Sequence, residues 1–186
     1  MFETETINYW LALATLAMQI LGAALLALFF LRKESAGWRT DLEDAAGFLG
    51  RWGLWIGLAL ALGGTALTLF YSEVLGIPPC GWCWVQRVFL YPQVLLFAIA
   101  IWKRDRAVAD YSISFSIIGG AVALYQHYLQ MGGGSLIPCP ATAAQAVDCS
   151  VRWLFEFGYI TFPLMSATLF AFLIVLMLFV RIKKHD

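Results

Sequence analysis

The sequence predicts an all-α integral membrane protein, a four-helix transmembrane bundle preceded by one additional transmembrane helix. Hydrophobic residues make up 61% of its 186 residues and charged residues only 13%, whereas an ordinary soluble domain is roughly 25% charged. Five long apolar runs, separated by charged or Gly/Pro-rich segments, supply the spans. Because the formal net charge is zero, the composition indicates a lipid bilayer as partner and does not indicate nucleic-acid binding.

Each run is predicted to form a membrane-spanning helix, because a hydrocarbon core about 30 Å thick needs roughly 20 apolar residues. The runs are residues 7–31, 52–71, 85–102, 111–131 and 160–180. The first follows the acidic residues Glu3 and Glu5 and not a basic segment, which favours a retained helix over a secretory signal. The third is the shortest and contains Pro92, which is expected to kink the helix or shift its start.

Basic residues are concentrated on one predicted side of the membrane. Because five spans alternate sides, ten of the twelve Lys and Arg residues share the compartment of the C-terminus. These ten are Arg32, Lys33, Arg39, Arg51, Lys103, Arg104, Arg106, Arg181, Lys183 and Lys184. The positive-inside rule then predicts a cytoplasmic C-terminus and an N-terminus outside. Residues 1–51 are expected to hold the additional helix and a cytoplasmic loop, and residues 52–186 the bundle.

All four cysteines fall on the side opposite the ten basic residues, which is oxidising in bacteria. The first pair lies in "PCGWCWVQR", residues 79–87, where Cys80-x-x-Cys83 would close a small ring that is easily reduced and re-formed. Its position at the start of the third helix favours a thiolate on Cys83. Arg87, one turn later, is suited to stabilise an anion or a ligand carbonyl. Trp82 and Trp84 are interpreted first as interfacial aromatics and second as walls of a ring-binding pocket.

The second pair, Cys139 and Cys149, lies in a loop of about thirty residues that opens with three glycines. Pro138 and Pro140 are expected to hold Cys139 extended and exposed, which suits attack by a protein thiolate. The two pairs together predict a relay by thiol–disulfide exchange. The sequence has no haem, dinucleotide or iron–sulfur motif, so a lipid-soluble quinone is the expected electron acceptor.

Two other interpretations of the four cysteines stay open at this point. An even number of exported cysteines is also typical of structural disulfides that staple loops. Four thiolates also suit tetrahedral zinc, but the second pair is widely spaced and no histidine lies beside either pair. We therefore expect no metal site.

The most specific motifs resemble the DsbB/BdbC family of disulfide-bond formation proteins, over roughly residues 52–180. They are Cys80-x-x-Cys83-x-x-x-Arg87, Cys149-Ser150-Val151 and "FGYITFPLMS" at 157–166, the last being similar to the BdbC branch. "QHYLQ" at 126–130 also resembles the end of a core helix in that family. The first helix is an addition to the family's four, and Gln86 stands where some members carry an acid.

The resemblance implies a role for each candidate residue. Cys83 would engage the quinone ring, with Arg87 and His127 near the quinone. Cys139 would form a mixed disulfide with a DsbA-like thioredoxin-fold partner, and Cys149 would exchange with Cys80.

The implied protein is a quinone-dependent thiol oxidase of the bacterial inner membrane that uses ubiquinone or menaquinone. A partner such as DsbA has a reduction potential near about −120 mV, so its reoxidation needs a stronger oxidant such as a quinone. One alternative is chemistry like that of vitamin K epoxide reductase, in which the loop pair precedes the membrane-edge pair, the reverse of the order here. Another is a non-enzymatic scaffold with two structural disulfides.

Overall fold

The computed structural model describes residues 2–31, 39–140 and 147–182. These form α1 (Phe2–Leu31), α2 (Arg39–Leu69), a π-helical turn (Phe70–Val74), α3 (Gly81–Lys103), α4 (Val108–Gln130) and α5 (Phe162–Ile182). All five α-helices contain a stretch long and apolar enough to cross a membrane. The prediction of an all-helical, multi-pass membrane protein with five spans is confirmed.

Helices α2 to α5 form the bundle, and α1 packs outside it. Contacts join α2 to α3, α3 to α4, α4 to α5 and α5 back to α2, whereas α1 packs mainly against α5. Because α5 contacts three other helices, it supplies half of the largest fully buried side chains in the described residues, including Phe170, Leu173 and Leu176. The predicted four-helix bundle with one additional helix is therefore the observed architecture.

Polar side chains join α3 and α4 inside the membrane-spanning part of the bundle. Gln93 is fully buried, and its Oε1 accepts a hydrogen bond from the Ser112 hydroxyl at 2.7 Å. Its Nε2 donates to the Phe89 carbonyl and to Ser116. Polar side chains that cannot reach water must form hydrogen bonds within the bundle. Gln93 of α3 and the two serines of α4 meet this need by bonding to one another.

Each helix starts at a different residue from its predicted span, and two of these differences affect the predicted boundaries. Helix α2 begins at Arg39, so residues 39–51 are helical where a loop was expected, and the helix runs through the proposed boundary at 51. Helix α3 begins at Gly81, before the expected start at 85, and its N-cap Cys80 is extended. Pro78 and Pro79 disfavour a helix at the residues that precede them, so the helix cannot readily extend further back. The helix continues through Pro92, which transmembrane helices tolerate when neighbouring groups satisfy the freed carbonyl.

Basic residues that the sequence assigns to the side of the C-terminus, such as Lys103 and Arg181, lie at the end of the bundle opposite the cysteines, whereas Arg87 lies at the cysteine end. Arg181, in the last turn of α5, forms an ion pair with Asp110 in the first turn of α4, at 3.1 Å. Lys103 ends α3, whose first residue adjoins Cys80. Arg32, Lys33, Lys183 and Lys184 lie outside the described residues.

Candidate functional site

Cys80 and Cys83 form a dithiol at the start of α3. Cys80 is the extended N-cap residue of the helix, and its carbonyl accepts a hydrogen bond from the Trp84 backbone N–H. The two sulfurs lie 2.9 Å apart and neither is in a disulfide. The hydrogen bond with Cys83, followed by burial, raises the pKa of the Cys80 thiol. This contact and burial therefore favour the neutral form of the Cys80 thiol, and either sulfur can donate the hydrogen bond between them.

Arg87 lies one turn after Cys83 and is buried, with only 7% of its surface exposed. Its Nη2 donates to the Thr68 carbonyl of α2 at 2.9 Å, and its guanidinium lies over the Trp84 ring, 5.0 Å from the centroid. A side chain that served only to anchor lipid headgroups would extend to the membrane surface. Arg87 instead holds its charge inside the bundle, beside the dithiol.

A cavity of about 190 Å³ opens beside the dithiol. Apolar side chains of α2, α3 and α5, such as Leu67, Leu90 and Leu169, form most of its wall. Its polar residues include Cys80, Cys83, Gln86, Arg87, Gln126 and Gln130. A mostly apolar wall with a few polar groups is typical of a site for a small organic molecule.

Trp82 and Trp84 do not form the wall of the cavity, contrary to the second of the two interpretations of these residues. Trp153 lines the cavity, whereas neither Trp82 nor Trp84 does. Trp82 packs edge-on against Tyr125 of α4, with ring centroids 5.5 Å apart. Trp84 is half exposed and supports Arg87.

His127 is not among the residues that line the cavity. Its Nδ1 lies 2.9 Å from the hydroxyl of Thr161, just before α5. On α4, Gln126 and Gln130 are four residues apart and share the face that meets the cavity, while His127 is rotated away from that face. A role for His127 towards a quinone stays a prediction.

Sequence reasoning missed Gln126 as a site residue, although it belongs to the quoted "QHYLQ" segment. Its amide contacts both sulfurs of the dithiol from the opposite helix. A polar residue within an apolar span is itself a signal of function, and this signal could have singled out Gln126 and Gln86.

Cys139 and Cys149 form a disulfide, a pairing that the sequence left open. Cys149 is almost fully buried and belongs to one cluster with Cys80 and Leu129, against which Cys83 and Cys139 pack. Cys139 is half-buried, so the expectation that it would be exposed is wrong. The loop folds onto the start of α3 and covers Cys139 in part.

The residues around Cys149 are held in a tight turn. The Ser150 backbone N–H and hydroxyl both donate to Asp148 Oδ1, at 2.9 and 2.8 Å. These bonds lower the pKa of the Asp148 carboxyl from its usual value. Asp148 and Val147 also line the cavity, so the disulfide loop forms part of its wall.

Comparisons with known proteins agree with the motifs. The profile of the family described as "Disulfide bond formation protein DsbB" matches residues 50–180. The "SPbeta prophage-derived disulfide bond formation protein B" of Bacillus subtilis (strain 168) is 35% identical over 127 residues, covering 67% of this chain and 84% of the relative. "Disulfide bond formation protein C" of the same strain is 31% identical over 135 residues, covering 71% and 92%.

A "Probable disulfide formation protein" of Chlamydia caviae is 36% identical over 121 residues, covering 65% of this chain and 85% of the relative. No solved structure gives a significant match. The family match begins within α2 and leaves α1 outside.

Proposed function

This chain belongs to the DsbB family of disulfide bond formation proteins, and from that membership we propose that it is a membrane thiol oxidase that supports disulfide bond formation. It reoxidises a DsbA-like thioredoxin-fold protein and passes the electrons to a membrane quinone, ubiquinone or menaquinone. The cysteine loops face the extracytoplasmic side of a bacterial inner membrane.

One observation carries the proposal: a dithiol and a disulfide lie side by side at the edge of an apolar cavity. Cys80 and Cys149 are buried in the same cluster, and Cys80 and Cys83 also line the cavity. A dithiol–disulfide pair in one cluster is suited to thiol–disulfide exchange. The adjoining cavity gives the dithiol access to an apolar oxidant.

The exchange begins at the loop disulfide. A partner thiolate attacks Cys139 and breaks its bond to Cys149, and the second partner thiol then displaces Cys139, which leaves an oxidised partner. Cys149 as a thiolate next attacks Cys80 of an oxidised Cys80–Cys83 bond, which releases Cys83 as a thiolate. Cys139 attacks Cys149 and restores the loop disulfide, leaving Cys80 and Cys83 reduced.

The cavity residues fit a quinone ring. Apolar side chains such as Leu67 and Leu169 match a hydrocarbon ring and tail, and Arg87 supplies N–H donors for a ring carbonyl. When bound, a quinone would supply a two-electron acceptor for the Cys80/Cys83 pair, which would close to a disulfide. Cys80 S–H would give up one proton, and the second would come from solvent. In this scheme Arg87 orients the acceptor and holds positive charge beside the Cys83 thiolate.

The test is quinone reduction by the purified full-length protein in lipid nanodiscs. With a reduced thioredoxin-fold oxidase as donor and a short-tailed ubiquinone or menaquinone as acceptor, we expect one quinol for each partner disulfide formed. In Cys83→Ser the rate should fall by about 10³-fold or more, because the group that donates the electrons is lost.

The variant serves as its own folding control, since thiol counting should still find the Cys139–Cys149 disulfide. Unchanged quinone reduction in Cys83→Ser would rule out the proposed electron route. Failure of the wild type to reduce either quinone would rule out the quinone as acceptor.

A further inference from the structure

The amide of Gln126 joins α4 to both sulfurs of the dithiol. Gln126 is 1% exposed, and its Nε2 lies 3.0 Å from Cys80 Sγ and 3.3 Å from Cys83 Sγ. A carboxamide has two N–H donors. One donor is thus available to each sulfur, across the interface between α3 and α4.

Gln86 fixes the orientation of that amide. It lies on α3 one turn after Cys83, is itself buried, and donates from Nε2 to Gln126 Oε1 at 2.6 Å. Gln126 Oε1 also lies 3.7 Å from Cys83 Sγ, a contact in which only a protonated Cys83 could donate. Towards a Cys83 thiolate, Gln86 engages the oxygen and the N–H groups of Gln126 are the donors. The three residues form a chain of contacts from Gln86 through Gln126 to the sulfurs.

Charged or titratable groups from three parts of the chain line the cavity beside the dithiol. Arg87 on α3, Tyr71 in the π-helical turn and Asp148 in the disulfide loop line the same cavity. One Arg87 N–H already donates to the Thr68 carbonyl. Gln126 is neutral, so it can donate to sulfur in the bundle interior without the cost of burying a further charge.

We propose that Gln126, oriented by Gln86, is a positioning residue for the Cys80/Cys83 pair: its N–H groups hold the two sulfurs together and stabilise the Cys83 thiolate. This inference deepens the proposed function and rests on it for its role in turnover. When Cys149 attacks Cys80, an S–S bond forms between them as the Cys80–Cys83 bond breaks. The electron pair of the broken bond goes to Cys83, and Gln126 donates a hydrogen bond to that leaving thiolate.

The absence of an acid at residue 86 follows from the same arrangement. A carboxylate at Gln86 would lack the N–H that engages Gln126 Oε1, and its charge would oppose a thiolate nearby. The amide thus satisfies Gln126 and leaves the local charge to Arg87.

The test measures thiolate formation directly and needs neither quinone nor partner. In the full-length protein carrying Cys139→Ser and Cys149→Ser, the reduced Cys80/Cys83 pair is alkylated with iodoacetamide over a range of pH, and Cys83 is followed by peptide mass spectrometry. Gln126→Leu should raise the midpoint pH of Cys83 alkylation by about one unit, because a hydrogen bond to a charged group is lost. Gln126→Glu should raise it further.

Gln86→Leu provides a second, independent variant if Gln126→Leu fails to fold. It should give a smaller upward shift in the midpoint, because Gln126 keeps its N–H groups but loses the bond that orients them. Gln93→Leu is the matched control: it removes another buried amide of α3 that contacts serines and not the cysteines, and its midpoint should equal that of the parent.

An unchanged midpoint in Gln126→Leu, or an equal shift in Gln93→Leu, would overturn the positioning role. If the wild-type protein reduces no quinone but the shifts appear as expected, the proposed acceptor fails while the positioning role stands. If the wild type does reduce quinone but the shifts are absent, the electron route stands and the positioning role fails.

Discussion

Gly81 is one of the residues at which the two cysteine segments meet. A Cβ built on Gly81 would overlap the carbonyl oxygen of Pro140, next to Cys139. Gly81 is also the first residue of α3, directly after the N-cap residue Cys80. The absence of a side chain there lets the disulfide loop lie directly on the dithiol, so this one position governs how closely the two pairs approach.

Gly81→Ala should slow electron transfer between the pairs. The added methyl group displaces the Pro140 backbone, and a misplacement of about 1 Å at a reacting centre can cost on the order of 100-fold in rate. The measurement is the rate at which a reduced thioredoxin-fold partner drives quinone reduction. Gly63→Ala is the control, because a Cβ at Gly63 meets nothing within 4 Å. Equal rates for the two variants would contradict this role for Gly81.

At the level of elements, α4 and α5 pack closely because small residues line their contact. A Cβ at Gly119 would meet the ring of Phe170 at 2.5 Å, whereas one at the neighbouring Gly120 would sit at an ordinary 3.5 Å from the same side chain. Small residues let transmembrane helices approach closely and gain van der Waals contact. This contact supports the face of α4 that carries Gln126 and Gln130.

Gly119→Ala should destabilise the bundle, while Gly120→Ala should not. Overpacking against Phe170 is expected to cost about 1–3 kcal/mol, whereas alanine at Gly120 fits and gains up to about 1 kcal/mol of helix propensity. Denaturation of the detergent-solubilised protein compares the two variants. A larger loss of stability for Gly120→Ala would show that the helices pack differently from the arrangement described.

The additional helix α1 is bound through its polar residues as well as its apolar face. Gln19 donates from Nε2 to the Thr168 hydroxyl of α5 and accepts a hydrogen bond from the Tyr159 hydroxyl. Nearer the N-terminus, Asn8 accepts a hydrogen bond from Tyr71, which lines the cavity. Although it lies outside the family match, α1 therefore contacts a residue of the cavity wall.

At the scale of the whole molecule, most of the basic residues and the four cysteines are assigned to opposite ends of the bundle, with Arg87 and Arg152 on the cysteine side. The described basic residues near the helix ends, such as Lys103 and Arg181, lie opposite the end that holds Cys80 and Cys149. Cytoplasmic loops are enriched in Lys and Arg. The asymmetry therefore supports the proposed extracytoplasmic orientation of the cysteines.

Reporter fusions test that orientation. A reporter that is active only outside the cytoplasm should be inactive when fused after Asp186 and active when fused after Ser135, in the loop between α4 and α5. Activity after Asp186 together with inactivity after Ser135 would reverse the orientation and place the dithiol in the reducing compartment.

Much of the site was predictable because its signals are local. Cys80, Cys83 and Arg87 lie within two turns of one another, so a motif reveals them, and the apolar runs reveal the helices that carry them. Gln126 was missed because its partners are on another helix, 43 residues from Cys83. The family resemblance implied a role for its neighbour His127, but the rotation of α4 decides which of the two meets the cavity.

By itself, the sequence determined the class of protein and the number of spans, and it predicted the chemistry of the cysteines, because hydrophobic length and Cys-x-x-Cys spacing act within single segments. Only the tertiary structure decided that Cys139 pairs with Cys149, that the Pro140 backbone packs against Gly81, and that the Gln126 amide contacts the sulfurs of both Cys80 and Cys83. These arrangements depend on how separate helices and a loop pack against one another. No periodicity within one segment specifies the rotation of one helix relative to another.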